Sequence, residues 1–168
     1  MTRLWASTNN NSVINFRQGY NPQERGTYQG MCAGLSTLWL LNMLNGVRDM
    51  NSKPDDFRAQ LVHVKYRWGT GEIEIKLVQS VGLKAVTFLT GKSVSFATEE
   101  IASKGGAHLI RNDHHAVASY ISGSRYYFYD CESGLYLESN KSDWKNTIAG
   151  LGYPSRMPSL WTAFTVTK

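Results

Sequence analysis

The stretch Gly30-Met31-Cys32-Ala33-Gly34-Leu35-Ser36-Thr37-Leu38-Trp39-Leu40-Leu41 constrains this chain more than any other. From Leu35 to Leu44 only Ser36, Thr37 and Asn42 interrupt the apolar run, so a helix here has little to offer water and must lie centrally. The preceding segment, Asn21 to Gln29, is polar and holds both Pro22 and Gly26, which reads as loop. The helix is therefore expected to start close to Cys32. Unbonded N–H groups and the positive end of the helix dipole favour an anion in a first turn, and a thiol there loses its proton more readily. Taken alone, Cys32 reads as a small core residue more readily than as a nucleophile.

A length of 168 residues suits one domain, 1–168, with residues 1–20 as a loose arm holding a short strand near Val13, Ile14 and Phe16. Apolar and charged fractions of 42% and 18% are those of an ordinary globular chain. The net charge is +5, but Lys and Arg are scattered singly, so no nucleic-acid partner is expected. No apolar run approaches the ~20 residues of a membrane span, and Met1 to Trp5 does not resemble a cleavable leader. The two cysteines, Cys32 and Cys131, permit one disulfide at most and lack C-x-x-C spacing, so both are read as unbridged thiols. A zinc site from His108, Asp113, His114 and Cys131 has no supporting spacing, and no cofactor is expected.

Helical patterns dominate the first half. Asn45-Gly46 should stop the Cys32 helix. Phe57, Leu61, Val64 and Trp68 mark an amphipathic helix begun near Pro54, and Glu72 to Val81 marks another, ended by Gly82. From Leu83 the pattern turns to β, with strands expected at Leu83–Leu89, Ala107–Ile110, His115–Ile121, Arg125–Asp130, Leu135–Leu137 and Leu160–Val166. Short helices are expected at Thr98–Ser103, with Thr98 as cap, and at Ser142–Ala149. Helices first and antiparallel strands second give an α+β class.

Chemistry enters through the hairpin. His115 opens one strand and Asp130 ends the next, with the Gly123-Ser124 turn about midway, so both fall at the same end of the sheet. A helix presenting Cys32 to that end would align thiol, imidazole and carboxylate. His115 would take the thiol proton and later protonate a leaving amine, while Asp130 would orient the ring. The Cys32 N–H and the Gln29 amide are the candidate oxyanion donors. His114 competes with His115 for the base, and alternation sends the two to opposite faces.

Gly30-x-Cys32-x-Gly34-Leu35-Ser36-x-x-Trp39-Leu40, His115-Ala116-Val117-Ala118, and Tyr129-Asp130 with Gly134 after it together resemble the YopT/AvrPphB family of papain-like cysteine proteases, over roughly residues 28–137. The resemblance implies a papain-like fold with Cys32 as nucleophile, His115 as base and Asp130 as orienter, and it favours His115 over His114. It also implies a bacterial effector, secreted by a specialised system into a target cell's cytoplasm, where it cuts proteins. A secretion chaperone, or an immunity or inhibitor protein, would then be a partner. The chain departs from the family where Asp130-Cys131-Glu132 replaces an Asp-Pro-Asn-like run, and it lacks an amide five or six residues before Cys32. Two other classes remain open: a deamidase, transglutaminase or cell-wall peptidase using the same triad, and a non-catalytic binding module on the same fold.

Overall fold

A computed structural model of the chain describes residues 3–6, 28–47, 73–112, 115–131, 133–152 and 160–168. Its centre is helix α1, Tyr28–Leu44, in which every side chain from Cys32 to Leu40 is buried. A helix so apolar has no solvated stripe, and Leu40 at complete burial illustrates what holds it: truncation to Ala would cost about 2–5 kcal/mol. The expected stop is present at Asn45-Gly46. Gly46 has φ of 77°, its N–H bonds the Met43 carbonyl, and the Val47 N–H bonds the Asn42 carbonyl. This pairing caps the last carbonyls, and it uses a left-handed residue that favours glycine.

Helix α2, Ile73–Gln79, follows, then strand β2, Lys84–Lys92, and helix α3, Val94–Lys104. Strands β3, Gly106–Arg111; β4, Ala116–Ser122; β5, Arg125–Asp130; and β6, Gly134–Glu138 form a meander. Helix α4, Lys141–Gly150, and strand β7, Trp161–Thr167, complete the order. Strand β1, Arg3–Ala6, pairs with β6. The sheet runs β1-β6-β5-β4-β3-β7-β2 and every pairing is antiparallel.

Two apolar layers sandwich this sheet. α1 and α2 cover one face, against Leu109, Ala118, Tyr127, Tyr129 and Phe164, while α3 and α4 cover the other, against Ile110, Val117, Phe128, Trp161 and Ala163. Because the middle strands are buried on both faces, they read as continuous apolar runs rather than as alternation. The Gly123-Ser124 turn joins β4 to β5 with Gly123 at φ of 59°, the glycine-favouring first position of a tight hairpin. Glu99 on α3 ties to α4 through Lys141 at 2.7 Å and Lys145 at 2.9 Å.

Several expectations shift. α1 begins at Tyr28, so Cys32 stands in its second turn rather than its first. α3 begins at Val94, because Ser93, not Thr98, is the cap: the Ser93 hydroxyl accepts the Phe96 N–H at 3.2 Å. Thr98 lies inside the helix, where its hydroxyl donates to the Val94 carbonyl at 2.8 Å. The arm contributes a strand at Arg3–Ala6, while the strand expected near Val13, Ile14 and Phe16 and the helix expected from Pro54 to Trp68 lie outside the described residues.

Candidate active site

His115 sits in the reversal between β3 and β4, and the backbone there is closed by Asn112. The Asn112 N–H donates to the His115 carbonyl at 3.1 Å, and the His115 N–H donates to Asn112 Oδ1 at 2.8 Å. Both residues are buried. This reciprocal pair fixes where the imidazole leaves the chain.

Asp130 is the last residue of β5 and is fully buried. Ala118 pairs with Tyr129, so Asp130, one residue past that rung, and His115, just before β4, fall at the same end of the sheet. The two side chains meet, with His115 Nε2 2.8 Å from Asp130 Oδ1. With Nε2 engaged, Nδ1 is the nitrogen left to face the Cys32 thiol, which lies within hydrogen-bonding reach of the same ring. Burial pulls the His115 pKa down, but a thiolate at Cys32 and the Asp130 hydrogen bond oppose it, and the result lies well above the ordinary histidine value. The surroundings therefore favour the protonated, imidazolium form of His115.

α1 is held in place around Cys32 by neighbours on both strands. One turn on, the Ser36 hydroxyl lies 3.5 Å from the Ala116 carbonyl, next to His115. Trp39 stacks on Tyr129 at 5.3 Å and 9°, a pairing worth about 0.5–1.5 kcal/mol beyond burial, immediately before Asp130. The helix thus registers against both strands that carry the partner groups. Gln29 lies in the first turn of α1 rather than in a preceding loop.

The sequence reading brought Cys32, His115 and Asp130 to one point, and the geometry does the same; His114 lies outside the described residues. Two neighbours went unread. Only the fold reveals that the Asn112 side chain holds the His115 backbone. β5 ends at Asp130 and the chain turns, leaving Cys131 Sγ 3.0 Å from Cys32 Sγ. Neither cysteine is in a disulfide. Among the described residues, no group of three or more His, Cys, Asp or Glu side chains is arranged to hold a metal ion, and no helix is long and apolar enough to cross a membrane.

No protein-family model and no curated protein matches this chain. Among solved structures, the Pseudomonas avirulence protein AvrPphB superposes with a TM-score of 0.63 and 21% identity, over 86% of this chain and 95% of that one. The ubiquitin-specific protease encoded by murine cytomegalovirus tegument protein M48, solved with a ubiquitin-based suicide substrate, gives a TM-score of 0.49 and 12% identity, over 98% of this chain and 84% of that one. A buried N-terminal helix carrying the cysteine, packed on an antiparallel sheet carrying the histidine and the aspartate, is the papain-like α+β fold.

Proposed function

We propose that this chain is a cysteine endopeptidase that works in a target cell as a secreted bacterial effector. The observation that carries the reading is the buried His115–Asp130 pair at 2.8 Å, whose imidazole also reaches Cys32. In this scheme the Cys32 thiolate attacks the carbonyl carbon of a scissile peptide bond, forming a C–S bond and a tetrahedral oxyanion. The His115 imidazolium then gives its proton to the departing nitrogen as the C–N bond breaks, leaving a thioester on Cys32. Water, deprotonated by His115, attacks the thioester carbon and releases the acid and the thiolate. Asp130 keeps Nε2 protonated and holds the ring so that Nδ1 works on the sulfur.

The Cys32 N–H and the Gln29 amide are assigned as oxyanion donors. A helix begun at Tyr28 engages the Cys32 N–H in its own ladder, so this pair acts only if the first turn yields when substrate binds. Gln29→Ala with an undiminished kcat would remove Gln29 from the scheme. The effector role draws on the likeness to AvrPphB, a Pseudomonas avirulence protein, and makes the substrate a protein of the recipient cell. On this reading residues 1–168 act as a single catalytic domain.

The test is paired. Cys32→Ala should leave a folded protein that no longer fragments target-cell proteins, and wild-type Cys32 should alkylate with iodoacetamide at mildly acidic pH, where an ordinary thiol is inert. Intact Cys32→Ala activity would refute the reading. Target proteins that gain about 1 Da rather than fragmenting would make the enzyme a deamidase on the same triad, and an alkylation rate no faster than an ordinary thiol's would favour a binding module.

A further inference from the structure

The Cys131 thiol has no task in the chemistry above, yet it stands 3.0 Å from the sulfur that does the work. The two cysteines come from distant parts of the sequence, one from α1 and one from the turn after β5, and no others exist in the chain. A disulfide needs sulfurs about 2.05 Å apart, so closure asks for roughly 1 Å of movement. That movement falls on a turn. The Ser133 N–H bonds the Asp130 carbonyl across Cys131, so the Cys131 side chain can advance without breaking a rung of the β5–β6 ladder.

We propose that Cys32 and Cys131 form an oxidative modification site, a thiol pair that hydrogen peroxide closes into a disulfide, reversibly disabling the nucleophile. The Cys32 thiolate attacks the peroxide, an S–O bond forms as the O–O bond breaks, and water leaves after protonation. The Cys131 sulfur then attacks the Cys32 sulfenic acid, an S–S bond forms as the S–O bond breaks, and a second water leaves. Two thiols have lost two electrons and two protons, and one hydrogen peroxide has taken them.

Contact decides why the resolving thiol is internal. Cys131 already stands 3.0 Å from Cys32, so it meets a sulfenic acid there without having to arrive from solution. Without Cys131, a sulfenic acid at Cys32 would meet more peroxide and go on to the irreversible sulfinic acid. His115 assists the first step as it assists proteolysis, by keeping Cys32 in the thiolate form. The disulfide stands on geometry alone, and only its effect on cleavage rests on the function proposed above.

The experiment treats the full chain with a few equivalents of hydrogen peroxide, then denatures and alkylates it for intact mass and peptide mapping. The wild type should lose about 2 Da, resist alkylation, yield a crosslinked peptide containing Cys32 and Cys131, and recover both thiols with dithiothreitol. Cleavage should fall at least about a hundredfold and return on reduction. Cys131→Ser and Cys131→Ala should instead gain about 32 Da at Cys32 and not recover. Two alkylatable thiols after treatment, oxygen addition without a crosslink, or disulfide-linked dimers on a non-reducing gel would each overturn the proposal. So would a crosslinked enzyme that still cleaves at full rate. A chain inactive before any peroxide would refute the protease reading only, since the wild-type mass shift decides the thiol pair without any assay of cleavage.

Discussion

Two histidines are buried in one sheet, and their surroundings push their pKa values in opposite directions. His115, at the head of β4, faces a thiol and a carboxylate, and its pKa is raised well above the usual value against the pull of burial. His108, within β3, points to the face covered by α3 and α4, where Phe88 lies 5.1 Å away and Thr165 Oγ1 is 3.0 Å from Nε2. Its Nδ1 has no hydrogen-bond partner among the described residues. Burial, with the Lys104 charge adding to it, holds the His108 pKa down to about 4. Burial is common to both, so it identifies neither. What separates the two rings is the pair of acidic groups facing His115, the surroundings that the proposed role as base requires.

The largest test of that contrast removes one acidic group. Asp130→Asn should cut kcat by roughly two to four orders of magnitude and lower the His115 pKa, because the ring loses both its orienter and the charge that favours imidazolium. Ring-proton NMR titration reads the pKa and a cleavage assay reads kcat. If both stayed near wild type, the carboxylate would be structural and the two histidines would differ only in appearance.

The next effect is on stability, and its sign differs between the faces. Between pH 6.5 and about 4 the unfolded chain protonates His108 while the folded one leaves it neutral, so stability falls as pH falls through this window. The span corresponds to about 3 kcal/mol. His115 acts the other way: its contribution is complete below the ordinary histidine value and is lost as pH rises through the raised folded-state value. Urea unfolding across pH should therefore flatten on the acid side in His108→Gln and on the alkaline side in His115→Gln. Identical profiles for the two variants would dissolve the distinction.

The same contrast explains what was readable in the sequence. The convergence of Cys32, His115 and Asp130 was legible because each sits where a local pattern changes: the mouth of an apolar run, the start of a strand, the end of the next. Every described strand except β1 was also marked by a β-rich run or a turn signal. β1 was missed because a four-residue edge strand is held by backbone pairing to β6, which side chains at Arg3–Ala6 do not announce. The contacts of Asn112 and Cys131 were illegible for a different reason. Both residues sit in turns just past strand ends, where alternation no longer predicts direction and only packing against a distant element decides it.

Asn112 offers a smaller test on the catalytic side. Asn112→Ala leaves the buried His115 N–H without its 2.8 Å acceptor, which should cost about 1–3 kcal/mol of stability. Because the freed backbone also carries the imidazole, kcat should fall several-fold on the order of 10 while KM changes little, and Asn112→Asp, which retains the acceptor, should recover most of that loss. Equal loss in both variants would mean that the turn needs the amide for folding alone.

The mildest perturbation lies on the opposite face and serves as its counterpart. Ser93 caps α3 by accepting the Phe96 N–H at 3.2 Å, and Ser93→Ala should cost about 1 kcal/mol, lowering Tm by about 3 °C in a chain of this size. α3 packs against α4, β2 and β7, and the wall between it and Cys32 is the sheet itself. Loss of this cap should therefore leave kcat and KM unchanged at temperatures below the transition. A fall in kcat matching that of Asn112→Ala would mean that strain at α3 reaches His115 through the strands, and the sheet would be a mechanical link between its two faces rather than a partition.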